Sequence, residues 1–156
     1  RAHMHQYGTT EEQLAKVKVK SSKYGIMNAK AAFRKEVTVE DVLKSRAITS
    51  PLKLFDCCAN ADGASCVILA DEDEAKKITD TPFLITGLGL ASASMSLTAR
   101  ETVTSLSCAV EAAKQAYEMA GIKPEDIDVA EVHDCFTIAE IMAYEDLGFC
   151  VRGGGR

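Results

Sequence analysis

The sequence predicts an α/β protein with helices packed on a sheet. Three short runs, 64–70, 82–90 and 127–132, are apolar almost throughout and have strand length. Helical segments alternate with them, and the longest, 98–120, carries apolar residues at alternating spacings of three and four. At 156 residues the chain has the size of one domain, and it contains no internal repeat.

Taken in order, Thr10-Glu11-Glu12-Gln13 is a capping box opening a helix that turns Leu14, Val17 and Ser21 to one side. Lys16, Lys20 and Lys23 occupy the other side, read either as a solvated face or as a basic patch for an anionic ligand such as a nucleotide phosphate. Residues 24–36 lack periodicity and read as loop. Thr38-Val39-Glu40-Asp41 caps a second short helix, and Pro51 ends it and starts an extended segment. Asp62-Gly63 marks a turn before the first apolar run. Residues 71–78 are charged and predict a surface helix.

Pro82 opens the second run. Its Gly87 and Gly89 resemble the start of a phosphate loop, but no GxGxxG is completed, so they read as a bulge or a close backbone approach. In the long helix Val103, Leu106, Val110, Ala113, Tyr117 and Ala120 form the apolar stripe, with Gly121 as C-cap. Pro124-Glu125-Asp126 makes a turn into the third run. Thr137-Ile138-Ala139-Glu140 predicts another capping box, followed by an apolar stripe of Ile138, Ile141, Met142 and Leu147 and a stop at Gly148.

The formal charge of −5 argues against a nucleic-acid surface. No apolar run approaches the ~20 residues that cross a bilayer, and no signal peptide opens the chain. The six cysteines lie mostly inside apolar runs with no CxxC pair. That favours free thiols in a reducing, cytoplasmic compartment over disulfides or structural zinc. The chain lacks an initial Met and finishes on Gly153-Gly154-Gly155-Arg156, which reads as an internal portion of something longer.

The stretch with chemical content is Glu131-Val132-His133-Asp134-Cys135-Phe136. In open α/β sheets chemistry gathers beyond the carboxyl ends of strands. His133 and Cys135 are two apart, so in extended backbone they point to one side. Cys135 precedes a helix N-terminus, whose dipole favours an anion and hence the thiolate. Such a thiol can carry a proton or attack a carbonyl, and His133 can donate to a developing oxyanion. Against this stand a packed cysteine, a satisfied strand-end histidine, and a metal site from Glu131, His133 and Cys135 that is short of ligands.

Val132-His133-Asp134-Cys135-Phe136, then Thr137-Ile138-Ala139-Glu140 and Tyr144-Glu145-Asp146-Leu147-Gly148-Phe149, closely resemble the thiolase superfamily, nearest its sterol-carrier-protein-2-type and archaeal acetyl-CoA acetyltransferase branch. The histidine motif is the most specific of these, since most other thiolases carry Asn-Glu-Ala-Phe there. Residues 5–15 look like part of the family's loop domain. Residues 37–43, with Pro51-Leu52, are similar to the return into its N-terminal half, and Asp62-Gly63-Ala64 resembles its Asp-Gly-Ala-Ala strand.

The resemblance implies the central portion of a layered αβαβα fold: 1–50 as loop-domain remnant, 51–80 as the end of the N-terminal half, and 81–156 as the first part of the C-terminal half. It implies an acyltransferase that joins or cleaves β-ketoacyl-CoA. Cys135 would be the acid/base, His133 would sit in the oxyanion hole, and Asp134 and Phe136 would position the substrate. The implied substrate is a coenzyme A thioester, with no bound cofactor and no metal. The implied partners are a second copy of the chain and, by analogy with the mevalonate pathway, HMG-CoA synthase, without nucleic acid or membrane.

The family's Cys-x-Ser nucleophile and Gly-His-Pro motif are absent from these residues, and its Asn-Pro-x-Ala appears as Asn28-Ala29-Lys30-Ala31. Cys57, Cys58 and Cys66 do not stand in the nucleophile's context. The chain alone is therefore expected to lack turnover. The alternatives are a non-catalytic thiolase-like piece for assembly or acyl-CoA binding, and a cysteine hydrolase using Cys135 and His133.

Overall fold

The structure, a computed structural model, describes all of residues 1–156. Helices are α1 (Ala2–Tyr7), α2 (Glu11–Gly25), α3 (Val39–Lys44), α4 (Glu72–Ile78), α5 (Ser107–Ala120) and α6 (Thr137–Asp146). A single two-stranded antiparallel ladder joins β1 (Ala47–Thr49) to β2 (Leu52–Lys53) across a cis Ser50–Pro51 peptide. None of the helices is long and apolar enough to cross a membrane.

Local signals place the N-terminal helices. The Thr10 hydroxyl accepts from the Gln13 N–H at 3.2 Å, and the Gln13 amide oxygen accepts from the Thr10 N–H at 2.8 Å. That closes the predicted capping box. Thr38 and Asp41 do the same for α3, and these bonds to Thr38 hold the Asp41 carboxyl below its usual range. Helix α1 was not predicted; it ends at Gly8, whose φ of 75° the left-handed cap requires.

Helix α2 lies between the two halves of the core. Leu14 and Val17 pack with Ile141 of α6, and Ala15 packs with Val37 and Val42 beside α3. Spacings of one and three along α2 give it two buried sides, so the amphipathic pattern is right and its width was underestimated.

The three predicted buried strands do not form. Segments 64–70, 82–90 and 127–132 are without ladder partners, and most of their large apolar side chains face solvent, Phe83 wholly so at 102% and Ile68 at 86%. A strand buried on both faces needs neighbours at both edges and a layer on each side. These residues supply the strand-like runs but not those neighbours. Asp62-Gly63 likewise forms no turn.

One of the runs does find a packing surface, on α5. A Cβ on Gly87 would lie 2.2 Å from the Ala116 carbonyl oxygen, and one on Gly89 would lie 1.8 Å from that of Ala112. Two residues along the extended segment thus match four along the helix, and only glycine permits the contact. The Leu90 N–H also donates to the Gln115 side-chain oxygen at 3.2 Å. These glycines serve close backbone approach, one of the two structural roles read from the sequence.

Helix α5 starts at Ser107 rather than near Thr98. Its first turn is fixed from outside, because the buried Asp146 carboxylate accepts from the Leu106 N–H at 2.8 Å and from the Ser105 hydroxyl at 2.6 Å. An anion beside a helix N-terminus is stabilising. Gly121 caps the other end at φ 68°. The Tyr117 hydroxyl donates to the Leu147 carbonyl at 2.9 Å and ties α5 to the end of α6.

Candidate active site

Helix α6 is organised by three buried carboxylates that composition and periodicity did not single out. Glu140 accepts from the Lys20 ammonium and the Tyr144 hydroxyl. Glu145 meets the buried His3 ring at 3.2 Å, and the other ring nitrogen of His3 lies 2.7 Å from the Thr9 hydroxyl. Asp146 holds Arg152 as well as the start of α5. Each acid reaches a different part of the chain, so α6 is fixed by polar ties on several sides.

This corrects two sequence readings. Thr137 and Glu140 do not form a capping box: the N-cap is Phe136 and makes no side-chain cap bond, because both polar side chains are engaged elsewhere. Lys20 is not free to bind an anionic ligand. Burial works against its charge, but the bonds to Glu140 and Tyr144 outweigh that and raise its pKa. Lys16 and Lys23 remain exposed.

At the other end of α6 the predicted residues stand as follows. His133 and Asp134 are exposed, Cys135 is half-buried, and Phe136 is 39% exposed in extended backbone at φ −137°. His133 and Cys135 share the unladdered segment that runs into the helix. No three His, Cys, Asp or Glu side chains converge closely enough to hold a metal ion. Glu131, His133 and Cys135 are therefore not gathered into a ligand set.

What holds the junction is the segment 54–58. Cys57 and Phe136 form an antiparallel bridge, and the Cys58 N–H donates to the Cys135 carbonyl at 2.9 Å. The Thr137 hydroxyl donates to the Asp56 carboxylate at 2.9 Å, with both residues buried. The Lys53 N–H donates to the other Asp56 oxygen at 2.8 Å. A small cavity of about 90 Å³ opens beside the junction, with Lys18, Ser21, Cys58 and Asp134 on its walls. It has room for a few waters, not for a thioester.

Sequence reasoning missed Asp56, Cys57 and Cys58, which are separated from Cys135 by nearly eighty positions. The signal that could have found them was a carboxylate and two thiols in an otherwise apolar run. Burial, the Asp56 carboxylate and Cys58 push the Cys57 thiol up, and its Sγ donates to the Lys53 carbonyl at 3.4 Å. Cys57 is thereby kept as a protonated donor and is a poor nucleophile. The junction presents a half-buried thiol just before a helix start, an imidazole two residues before it and an aromatic residue next to it in sequence. A thiol can move a proton, and an imidazole N–H can donate to a carbonyl oxygen.

Residues 89–156 match the family described as thiolase C-terminal domain-like. The acetyl-CoA acetyltransferase of Methanothermobacter thermautotrophicus is 46% identical over 157 aligned positions, covering 100% of this chain and 41% of that protein. Sterol carrier protein 2 of Oryctolagus cuniculus is 36% identical over 98% of this chain and 29% of its own length. Among solved structures, the Ltp2-ChsH2(DUF35) aldolase overlays with a TM-score of 0.85 at 32% identity, covering 98% of this chain and 41% of that one. The chain thus spans less than half the length of these relatives, and the α/β architecture it follows is the thiolase-like one, although its own strand-like runs stand unpaired. The sequence motif, the family match over α5 and α6 and the structural overlay agree: what the chain matches is the thiolase superfamily, on the branch of archaeal acetyl-CoA acetyltransferases and sterol carrier protein 2.

Proposed function

We propose that the chain is the part of a thiolase-type acyltransferase that supplies the acid/base thiol and an oxyanion donor for Claisen condensation or thiolysis of acyl-CoA. The observation that carries this is the position of Cys135, half-buried one residue before the N-cap of α6 and held there through its own carbonyl. A thiol in that place can take a proton from carbon and return it.

In the condensation direction the Cys135 thiolate takes a proton from the α-carbon of acetyl-CoA. The electron pair moves onto the thioester oxygen, where an N–H of His133 donates to the developing charge. The enolate carbon then attacks an acyl group carried on a second cysteine, which the family resemblance puts outside these residues; the new C–C bond replaces the acyl C–S bond, and that cysteine leaves as a thiolate that takes up the proton held by Cys135. Thiolysis runs the same steps backwards, with Cys135 returning the proton to carbon. Phe136, the next residue along and partly exposed, offers apolar surface at the same junction. Asp134 lines the cavity behind it.

On this reading 1–50 is a loop-domain remnant, 51–80 closes the N-terminal half, and 81–156 opens the C-terminal half. The family match beginning at residue 89 supports the last of these. The parent acts in the cytoplasm as a homo-oligomer, with HMG-CoA synthase as the analogous consumer of its product. The aldolase overlay favours a second reading in which the same thiol and imidazole handle an enolate in carbon–carbon cleavage without an acyl-enzyme.

The test is acetoacetyl-CoA thiolysis by an intact acyltransferase containing this segment. Cys135→Ala should lower kcat by about 10²–10⁴-fold and His133→Ala by about 10²–10³-fold. Losses under tenfold in both would overturn the assignment. The 156-residue chain alone should show no turnover, and turnover lost on Cys135→Ala would refute its dependence on the missing nucleophile.

A further inference from the structure

Cys57 and Phe136 form the one isolated bridge of the structure, and it fixes a register. One step in one direction brings Asp56 opposite Thr137. Their side chains do meet on the same side of the pair, hydroxyl to carboxylate at 2.9 Å. One step in the other direction brings Cys58 opposite Cys135, and the Cys58 N–H donates to the Cys135 carbonyl at 2.9 Å. Alternation along a strand sends 56 and 58 to one side and 57 to the other, and likewise 137 and 135 against 136. Cys58 and Cys135 are therefore cross-strand neighbours, and Cys57 is turned away toward the Lys53 carbonyl.

We infer that Cys58 and Cys135 form a reversible disulfide when the chain meets a hydroperoxide, which makes this cross-strand pair an oxidation site that locks the junction. Directly opposed residues have Cβ atoms about 4.5–5.5 Å apart, and a disulfide needs about 3.5–4.5 Å, so closure asks for a shift of about 1 Å. Residues 59–70, which follow Cys58, belong to no helix or ladder that would resist it. Both thiols are free, Cys58 is exposed and Cys135 is half-buried.

The exposed Cys58 thiolate attacks the peroxide, breaking the O–O bond and taking one oxygen as sulfenic acid; the other leaves as water or alcohol. The Cys135 thiolate then attacks that sulfur and expels hydroxide, which leaves as water with the displaced proton. The two thiols are oxidised by two electrons and the peroxide is reduced by two. A small dithiol reverses the bond by exchange.

The bond itself does not depend on the catalytic reading. Its consequence does: with Cys135 tied up, the proposed proton carrier is silenced. A peptide map reads the bond without using activity, so failure of one claim is distinguishable from failure of the other. The purified chain is treated with hydrogen peroxide, its remaining thiols are alkylated, and it is digested with trypsin without reductant. Peptide 54–76 should be recovered joined to the peptide carrying Cys135, with two of the six free thiols lost and both restored by dithiothreitol. Because 54–76 also contains Cys57 and Cys66, and the Cys135 peptide also contains Cys150, the link should survive Cys57→Ser, Cys66→Ser and Cys150→Ser and vanish in Cys58→Ser. No link, a link that survives Cys58→Ser, or Cys135 trapped by dimedone while Cys58 stays a free thiol would each overturn the inference. Circular dichroism matching the unsubstituted chain confirms that Cys58→Ser, an exposed position, leaves the fold in place.

Discussion

Thr137→Val tests whether the hydroxyl at the start of α6, rather than apolar packing alone, fixes the junction. Valine keeps the shape and the β-branch, so the change removes one hydrogen bond and little else. The bond lost runs from the Thr137 hydroxyl to Asp56 Oδ1 at 2.9 Å, between residues that are both 5% exposed. The Lys53 N–H satisfies the other carboxylate oxygen, so Oδ1 loses its only partner. A bond to a charged group contributes about 1.5–3 kcal/mol, and a value near 2 kcal/mol is expected here. For a chain of this size that corresponds to a Tm lower by about 4–8 °C. Urea unfolding followed by circular dichroism reads the midpoint and the slope together, and an unchanged slope with a lower midpoint is the expected pattern. Thr137→Ser should recover most of the loss. A Thr137→Val change under about 0.5 kcal/mol, or an equal loss in Thr137→Ser, would refute the clamp, since the second result would assign the effect to the methyl group.

Two further perturbations probe what surrounds the junction. Gly89→Ala puts a Cβ into the Ala112 carbonyl at 1.8 Å and should push segment 82–90 off α5, at about 1–3 kcal/mol; amide exchange along α5 should speed up, and unchanged exchange would show that the contact does not bind the segment. Lys20→Met leaves the buried Glu140 with Tyr144 alone. Because the Lys20 side chain is 47% exposed, the cost is discounted from that of a fully buried pair to about 1–2 kcal/mol. Lys20 has its pKa raised above the ordinary 10.5, so its contribution is present below that pH and is lost as pH rises through the folded value. Tyr144, raised by burial and by Glu140, adds to the same alkaline loss. Alkaline unfolding curves should therefore be shallower in Lys20→Met, and an unchanged curve would remove the pair from the stability of α6.

Local chemistry was legible in the sequence and long-range chemistry was not. The caps at Thr10 and Thr38, the stop at Gly121 and the close approach at Gly87 and Gly89 were readable because each depends on a few neighbouring residues. The strands failed because a ladder is a property of two segments, and the apolar runs have no paired neighbours here. The box at Thr137 failed for a related reason. Its residues fit the motif, but Asp56 and Lys20 compete for the same side chains, and no local pattern reports a partner eighty or more positions away. The candidate site was read halfway. His133 and Cys135 came from spacing and from the family motif, while the wall of Asp56, Cys57 and Cys58 became visible only once the bridge to Phe136 set the register.

The balance of buried groups explains why the junction holds its shape while the strand-like runs stand unpaired. Six buried apolar residues form two small clusters, whereas nine buried residues are polar or charged. Four of the nine, Thr137, Glu140, Glu145 and Asp146, lie on α6, and their partners reach it from 54–56, α2, α1 and the start of α5. Apolar contacts are non-directional and tolerate sliding. A hydrogen-bonded carboxylate tolerates little, because misalignment leaves a buried charge unsatisfied. A helix fixed by several such bonds keeps one axial position and one rotation even when little apolar surface covers it. The thiol of Cys135 sits one residue before that helix's N-cap, so its place is set by polar ties made up to eleven residues away. On this account Asp56, Lys20 and His3 govern where the proposed proton carrier stands.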